Sequence, residues 1–150
     1  MKSDYYKKIL IATDGSENAR QAIRAGMEIA RLSQAKVYAL YVMDTTVHSL
    51  VRGDDRWKKT MDEQFKTQGL EATVAVEEAA KEAGIEVEFV TFEGRPAEKI
   101  LSFAEEQDMD MIVVGSLGKT DIERFLLGSV SEKVVRNTKV PVLVVPGKSS

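Results

Sequence analysis

The sequence contains no cysteine and only one histidine, His48, among its 150 residues. Without cysteine the chain forms no disulfide, binds no metal through thiolates and has no cysteine nucleophile. Nothing in the sequence places a nucleophilic serine beside His48, so we expect no catalytic triad. Basic residues are not in excess either, because 21 Lys and Arg against 24 Asp and Glu give a formal net charge of -3. We therefore expect no nucleic-acid partner.

Long hydrophobic runs are also missing. No segment approaches the roughly 18 apolar residues of a membrane helix, and the first residues lack the apolar core of a signal peptide. We therefore expect no membrane partner and a cytoplasmic location. Hydrophobic residues make up 43% of the chain and charged residues of both signs 30%, which is typical of a globular protein. A chain of 150 residues suits one domain, which we predict to span 1–150.

The sequence does contain a regular alternation of strand-like and helix-like stretches. Strands are predicted at 8–13, 35–42, 85–92, 110–115 and 140–145, and a last helix at 129–137. The other helices are predicted from apolar positions at helical spacing, namely Ala19, Ala22, Ile23, Gly26 and Ala30, then Val74, Ala79, Ala80 and Ala83, then Ala97, Ile100, Leu101 and Ala104. This alternation predicts an α/β fold with a five-stranded parallel sheet and helices on both faces.

One polar and charged region, 44–69, is interpreted as irregular, and its role is left open between a lid, a partner surface and a longer connection. Two strand orders, 3-2-1-4-5 and 2-1-3-4-5, are common for such a sheet. The two most site-like stretches are ATDGS at 12–16 and GSLGKT at 115–120, which follow the first and fourth strands. In the order 3-2-1-4-5 these strands are neighbours where the winding reverses, which is where ligands bind. We therefore predict the order 3-2-1-4-5.

The stretch GSLGKT resembles the end of a phosphate-binding P-loop, which reads G-x-x-x-x-G-K-[ST]. The first glycine of that motif would fall at position 113, where the sequence has Val113 inside a predicted strand. A longer spacing is more specific, because Gly115 and Gly118 are followed after nine residues by Gly128 and Ser129. Glycines let backbone N–H groups approach phosphate oxygens, and a helix beginning at Ser129 would add its own N–H groups and dipole.

A structural interpretation of the same residues stays open beside this one. The stretches SVSE at 129–132 and TDIE at 120–123 both read as capping boxes, and the glycines are common turn residues. Asp14 can accept hydrogen bonds from ribose hydroxyls or can cap the first helix. The joint placement of these residues at the predicted switch point favours binding. The roles of Asp44 and Arg124 are left open.

The sequence resembles the ATP-binding branch of the universal stress protein family over essentially its whole length. The resemblance rests on KILIATDGSENARQAI at 8–23, ALYVMD at 39–44, the G-x-x-G-x9-G-[ST] spacing and VPVLVVP at 140–146. It implies a single domain of the adenine nucleotide α-hydrolase-like fold. It also implies a nucleotide site formed by Ala12, Thr13, Asp14, Val42, Gly115, Ser116, Gly118, Lys119, Gly128, Ser129, Val130 and Ser131.

The resemblance implies bound ATP, AMP or ADP, with Mg²⁺ or Mn²⁺ held through the phosphates and no dedicated metal ligands. It further implies a homodimer paired through strand 140–145, an apolar run at the predicted sheet edge. It also implies a nucleotide-dependent regulatory or stress-response module with an unidentified protein partner. Because no base or water-orienting glutamine is identifiable near the glycines, we expect slow or partner-dependent hydrolysis. The alternatives are an ATPase or nucleotide-transferring enzyme of related fold and, last, a phosphoacceptor receiver domain.

Overall fold

The structure, a computed structural model, describes residues 6–44, 55–116 and 128–147. Strands and helices alternate along these segments as the sequence predicts. In chain order they are β1 (Lys8–Thr13), α1 (Glu17–Ser33), β2 (Lys36–Asp44), α2 (Asp55–Ala83), β3 (Val87–Gly94), α3 (Pro96–Glu106), β4 (Met111–Gly115), α4 (Ser129–Asn137) and β5 (Val142–Val145).

The five strands form one parallel sheet in the order β3-β2-β1-β4-β5. The predicted order 3-2-1-4-5 is therefore confirmed. Strands β2 and β3 each begin and end one or two residues later than predicted, and β5 begins after Pro141, which lacks the N–H that a paired strand uses.

Pairing between β1 and β4 brings together residues that are far apart in the chain. The carboxylate oxygen Oδ2 of Asp110, just before β4, accepts the backbone N–H groups of Lys7 and Lys8, both at 2.9 Å. Lys7 and Asp110 are 103 positions apart in the sequence. The central strand β1 is therefore completed by a strand from the last third of the chain.

The sheet separates two hydrophobic clusters, because successive strand residues point to opposite faces. One face packs against α1 and α2 through residues such as Ile9, Ile11 and Val76. The other face packs against α3 and α4 through residues such as Leu10, Phe103 and Val134. The central residues of β1, Ile9, Leu10 and Ile11, are all at 0% exposure and contribute side chains to both clusters. Helices on both faces are the arrangement that a continuous apolar strand requires.

Helix α1 packs closely on the central strands. Its predicted stripe is confirmed, since Ala19, Ala22, Ile23, Gly26 and Ala30 are all buried. The helix begins after Ser16, whose hydroxyl accepts the N–H of Ala19 at 3.2 Å. Such an N-cap satisfies a donor that the helix itself leaves unpaired.

Helix α2 corrects two predictions. Residues 55–69, interpreted as part of an irregular region, form its first half, and Val74 of the predicted stripe is half-exposed. Ala80 is buried as predicted, Ala79 and Ala83 are partly buried against the core, and the other buried positions are Ala72 and Val76. The dense charge and the central Gly69 hid the helix, because a solvent-exposed helix carries little apolar periodicity.

Helix α3 begins at Pro96, in the predicted first turn. Ala97, Ile100 and Ala104 are buried as predicted, and the predicted Leu101 is partly buried against the same core. Phe103 is buried as well, although it was not predicted. No helix among the described residues is long and apolar enough to cross a membrane.

Candidate functional site

The carboxyl ends of β1, β2 and β4 lie side by side at one edge of the sheet. The register pairs Thr13 of β1 with Tyr41 of β2, and Ile11 of β1 with Val113 of β4. The helices change face between β1 and β4, which makes this the switch point of the sheet. Of the predicted site residues, Ala12, Thr13, Asp14, Val42, Gly115 and Ser116 all stand at this edge.

Asp14 lies in a tight turn that joins β1 to α1. Its carboxylate oxygen Oδ1 accepts the N–H of Ser16 at 2.9 Å, and the hydroxyl of Thr13 accepts the N–H of Gly15 at 3.2 Å. The capping role considered for Asp14 belongs to Ser16 instead. Oδ2 of Asp14 has no hydrogen-bond partner within the described ranges 6–44, 55–116 and 128–147. Asp14 therefore carries one carboxylate oxygen that holds the turn and one that can accept another donor.

The end of β2 lies next to this turn. Val42 is buried on the α3 side of the sheet, whereas Tyr41 is buried on the α2 side. Burial raises the pKa of the Tyr41 phenol, and the negative charge of Asp14 raises it further. Tyr41 was not among the predicted site residues, and its place at the site follows from its pairing with Thr13 in the β1–β2 register.

The β4–α4 junction brings the two glycine segments together. The N–H of Gly128 donates to the carbonyl oxygen of Ser116 at 2.6 Å, and the N–H of Ser116 donates to the carbonyl oxygen of Val145 at 2.9 Å. The hydroxyl of Ser131, which is buried, reaches the carbonyl oxygens of Ser116 at 3.2 Å and Gly128 at 3.1 Å. The first turn of α4 is thus held directly against the carboxyl end of β4.

Helix α4 begins at Ser129, as predicted, but the capping box at 129–132 does not form. Gly128 is the N-cap, without a side-chain cap bond, and its carbonyl oxygen accepts the N–H of Glu132 at 2.9 Å. The carboxylate of Glu132 pairs with Arg136 at 2.8 Å instead of turning back to the helix start. Because no side chain covers the first turn from the cap position, its N–H groups can serve an anion.

Gly128 has φ -63° and ψ 161°, which is extended backbone. Any residue can adopt this conformation, so glycine at position 128 is not required by backbone strain. Backbone conformation therefore does not explain why position 128 is glycine.

Several predictions lie outside the described residues. They concern Gly118 and Lys119 of the predicted site, the capping box at 120–123, Arg124 and His48. Val130 and Ser129 lie in the first turn of α4, whereas Asp44 ends β2 at the same sheet edge. The described part of the predicted site is thus gathered at one edge from three strands and one helix start.

A separate cavity of about 320 Å³ lies at the opposite edge of the sheet, before β4 and β5. Its lining includes the apolar Met109, Ile112 and Val140 and the ion pair between Lys139 and Glu105, which spans 2.9 Å. It shares no residue with the predicted site. The candidate site is therefore defined by backbone geometry at the carboxyl edge and not by this cavity.

These features define a class: a doubly wound α/β protein in which a glycine-flanked helix start and a carboxylate lie at the same end of the sheet, at the switch point. The model of the Universal stress protein family matches residues 5–146. The chain belongs to that family. Universal stress protein MJ0531 of Methanocaldococcus jannaschii is 42% identical over 140 residues, covering 93% of this chain and 82% of that protein.

Two solved structures of similar fold contain adenine nucleotides. A universal stress protein in complex with cAMP has a TM-score of 0.69 at 27% identity and covers 95% of this chain and 98% of that one. The universal stress protein from Archaeoglobus fulgidus in complex with dAMP has a TM-score of 0.64 at 26% identity, over 94% of this chain and 98% of that one. Adenine nucleotides are therefore ligands of proteins similar to this one.

Proposed function

We propose that this protein is a nucleotide-dependent regulatory module of the stress response that binds ATP, AMP or ADP at the carboxyl edge of its sheet. The observation that carries the proposal is the junction of Ser116, Gly128 and Ser131, which holds the start of α4 against the end of β4. The cAMP and dAMP complexes of similar proteins support the choice of an adenine nucleotide.

Each part of the edge has a role in this proposal. Backbone N–H groups of Gly115, Gly118 and the first turn of α4 (129–131) bind the phosphates, with Lys119 adding a positive charge. The N–H groups of Ser116 and Gly128 already donate within the junction and hold the two segments together. The open carboxylate oxygen of Asp14 accepts hydrogen bonds from ribose hydroxyls. Adenine lies beyond the ends of β1 and β2, against Ala12, Thr13 and the backbone of Val42.

A divalent cation accompanies the phosphates. Mg²⁺ is held in many nucleotide sites by phosphate oxygens and water with only one or two carboxylates. Asp14 already uses Oδ1 within its own turn, so at most Oδ2 is available to a metal. We propose that Mg²⁺ or Mn²⁺ strengthens ATP binding by bridging phosphate oxygens, and that chelation by EDTA weakens ATP more than it weakens AMP.

The binding site is tested by two substitutions with opposite expectations. Gly128→Val adds a side chain where the phosphates lie, and the extended backbone accepts valine without strain, so we expect no detectable ATP binding in calorimetric titration. Lys119→Ala removes one charged hydrogen bond and should weaken binding by about 1–3 kcal/mol. Gly128→Ala, with a smaller side chain, should fall between Gly128→Val and the unsubstituted protein.

Lys139→Ala is the matched control for Lys119→Ala, because Lys139 is an exposed lysine paired with Glu105 far from the site. It should leave the ATP affinity unchanged. Near-normal affinity in Gly128→Val combined with complete loss in Lys119→Ala would instead assign the phosphates to a P-loop-like arrangement around Lys119. Circular dichroism of each variant establishes that the fold is intact.

We propose that the protein turns over ATP slowly, with the partner protein setting the rate. The proposal rests on the sequence, which offers no recognisable base or water-orienting glutamine beside the glycines. Steady-state turnover should lie far below the enzyme median of about 10 per second. A rate near that median would favour the alternative function, an ATPase or nucleotide-transferring enzyme of the same fold.

A further inference from the structure

One turn of α2 touches both strand ends that carry the proposed nucleoside contacts. A Cβ built at Gly15 would lie 2.9 Å from the backbone carbonyl oxygen of Gln68. A Cβ built at Gly69 would lie 3.4 Å from ring atom Cε1 of Tyr41. Gln68 and Gly69 are adjacent, so a single helical turn packs against the end of β1 and the end of β2 together.

The contacted residues are direct neighbours of proposed ligand contacts. Gly15 follows Asp14, and Tyr41 precedes Val42 in β2. The ring of Tyr41 is buried, with 4% of its surface exposed, so it occupies the space between the sheet and α2. A small displacement of this turn of α2 therefore acts on the Asp14 turn and on the end of β2 at once.

The contact between Gly15 and Gln68 depends on glycine, whereas the contact between Gly69 and Tyr41 leaves space for a methyl group. Gly15 has φ +79°, a left-handed conformation that side chains other than glycine rarely adopt, and it also leaves no room for a Cβ beside Gln68. Gly69 stands inside a helix, where glycine is unfavourable compared with alanine. A Cβ at Gly69 would only reach van der Waals contact with the Tyr41 ring, so a side chain larger than that of alanine is needed to push α2 away from the ring.

We propose that Gln68 and Gly69 form a positioning element of the nucleotide site. Through their contacts with Gly15 and Tyr41 they set the positions of Asp14 and of the end of β2. This inference rests on the proposed function. Coupling of this kind is reciprocal. If the packing of α2 against the strand ends changes the nucleotide affinity, bound nucleotide must stabilise that packing by the same free energy.

The consequence reaches beyond the sheet. The part of α2 that packs in the core begins near Ala72, and the strand ends lie at Gln68 and Gly69. Residues 55–67, about 20 Å of helix at 1.5 Å per residue, therefore extend past the carboxyl edge. We call them the α2 arm, and its described side chains Lys59, Glu63, Gln64, Lys66 and Thr67 are exposed.

The first test compares two substitutions to leucine on the same helix. Gly69→Leu pushes α2 away from Tyr41, although Gly69 itself is not a proposed ligand contact, and should weaken binding of Mg-ATP about tenfold, within the range typical of coupled sites. Val74→Leu, at a half-exposed position just over one turn later, should leave the affinity unchanged. Calorimetric titration measures both.

Tyr41 provides a rescue experiment. Tyr41→Phe keeps the ring that packs on Gly69 and should retain ATP affinity within about threefold, whereas Tyr41→Ala removes the ring and should lose about tenfold. If Tyr41 only stabilised the fold, Tyr41→Ala would lower the free energy of unfolding but would bind ATP with the same affinity as Tyr41→Phe. The unfolding free energy without nucleotide is measured for each variant to separate the two effects.

Hydrogen exchange on the unsubstituted protein tests the reciprocal effect without any variant. Addition of Mg-ATP should slow exchange at the amides of residues 68–73 and in the α2 arm, and should leave the far end of α2 near Ala83 unchanged. Unchanged exchange at 68–73 together with wild-type affinity in Gly69→Leu would overturn the inference while the proposed function stands. If the unsubstituted protein binds no adenine nucleotide, the proposed function itself fails.

Discussion

At the scale of single residues, Ser131 shows how one polar side chain can hold two parts of a site together. The family resemblance implies that Ser131 binds phosphate, and that role stays a prediction. Its hydroxyl is already directed at the carbonyl oxygens of Ser116 and Gly128, and only 4% of the residue is exposed. Ser131 therefore joins the two glycine segments from inside.

We predict that Ser131→Ala lowers the free energy of unfolding by about 1 kcal/mol, the value of a typical hydrogen bond. The loss stays small because the carbonyl oxygen of Ser116 keeps the N–H of Gly128, and that of Gly128 keeps the N–H of Glu132. Urea denaturation measures the change. The control is Ser33→Ala, which removes a hydroxyl bonded to Ile29 within a helix and should cost less, since alanine favours the helix. Equal losses would contradict the role given to Ser131.

The raised pKa of Tyr41 predicts how stability depends on pH. The folded protein disfavours the phenolate, so the stabilisation is complete below the unfolded-state pKa of 10.0 and is lost as pH rises through the higher folded pKa. Tyr41→Phe should not show this loss, and denaturation at a series of alkaline pH values compares the two. Asp14→Asn should lower the pKa of Tyr41 only partly, because burial is the larger cause. An unchanged pKa in Asp14→Asn would place the Asp14 charge elsewhere.

At the scale of elements, two helix glycines have opposite environments. A Cβ at Gly26 of α1 would lie 2.4 Å from Cδ1 and 2.7 Å from Cγ1 of Ile11, which is fully buried. A Cβ at Gly69 of α2 would only reach ordinary contact distance from Tyr41. Gly26 therefore allows a helix to lie close on the central strand, whereas Gly69 leaves space for a methyl group.

We predict that Gly26→Ala destabilises the protein by about 1–3 kcal/mol, because overpacking a filled core outweighs the gain in helix propensity. Gly69→Ala should instead stabilise it by about 0.5–1 kcal/mol, the usual benefit of alanine in a helix. Thermal or urea denaturation of the two variants measures both signs. Stabilisation by Gly26→Ala would mean that α1 and β1 are packed less tightly than the Ile11 contact indicates.

At the scale of the whole molecule, the two outermost strands of the sheet, β3 and β5, differ in charge. Strand β3 carries Glu88 and Glu93 with exposed side chains, and two copies of such an edge would repel each other. Strand β5 is a run of four apolar, partly exposed residues. We therefore predict that two copies pair through β5, as the family resemblance implies.

Strand geometry gives a direct test of this dimer. The N–H groups of Ile112 and Ser116 in and after β4 donate to Pro141 and Val145, so the alternate residues Val142 and Val144 direct their N–H groups to the open edge. Val144→Pro removes one outward donor, which an edge strand tolerates, and we predict a monomer by light scattering at micromolar concentration. Thr91→Pro does the same on β3 and should leave a dimer. A monomeric unsubstituted protein, with nucleotide present, would contradict the prediction.

The strand order was predictable because two site-like stretches had to meet, and buried strands of alternating units read clearly as apolar runs. The first half of α2 was not predictable in this way, since residues 55–69 are mostly charged or polar, include a glycine and show little apolar periodicity. The prediction that Ser129 caps α4 was wrong, because Gly128 occupies the cap position and is held there by its hydrogen bond to Ser116. That bond, like the contact of Tyr41 with α2, joins parts of the chain that a local pattern does not relate.

The pairing of β1 with β4 affects the order in which the protein can assemble during synthesis. Asp110 and its partners at the start of β1 are separated by 103 residues. At typical translation rates of about 5–20 residues per second, roughly 5–20 seconds pass between the synthesis of β1 and the synthesis of β4. During that time the central strand, fully apolar at Ile9, Leu10 and Ile11, has one open edge. A nascent chain that ends before β4 therefore exposes its most hydrophobic strand, and it is the species on which a chaperone would act.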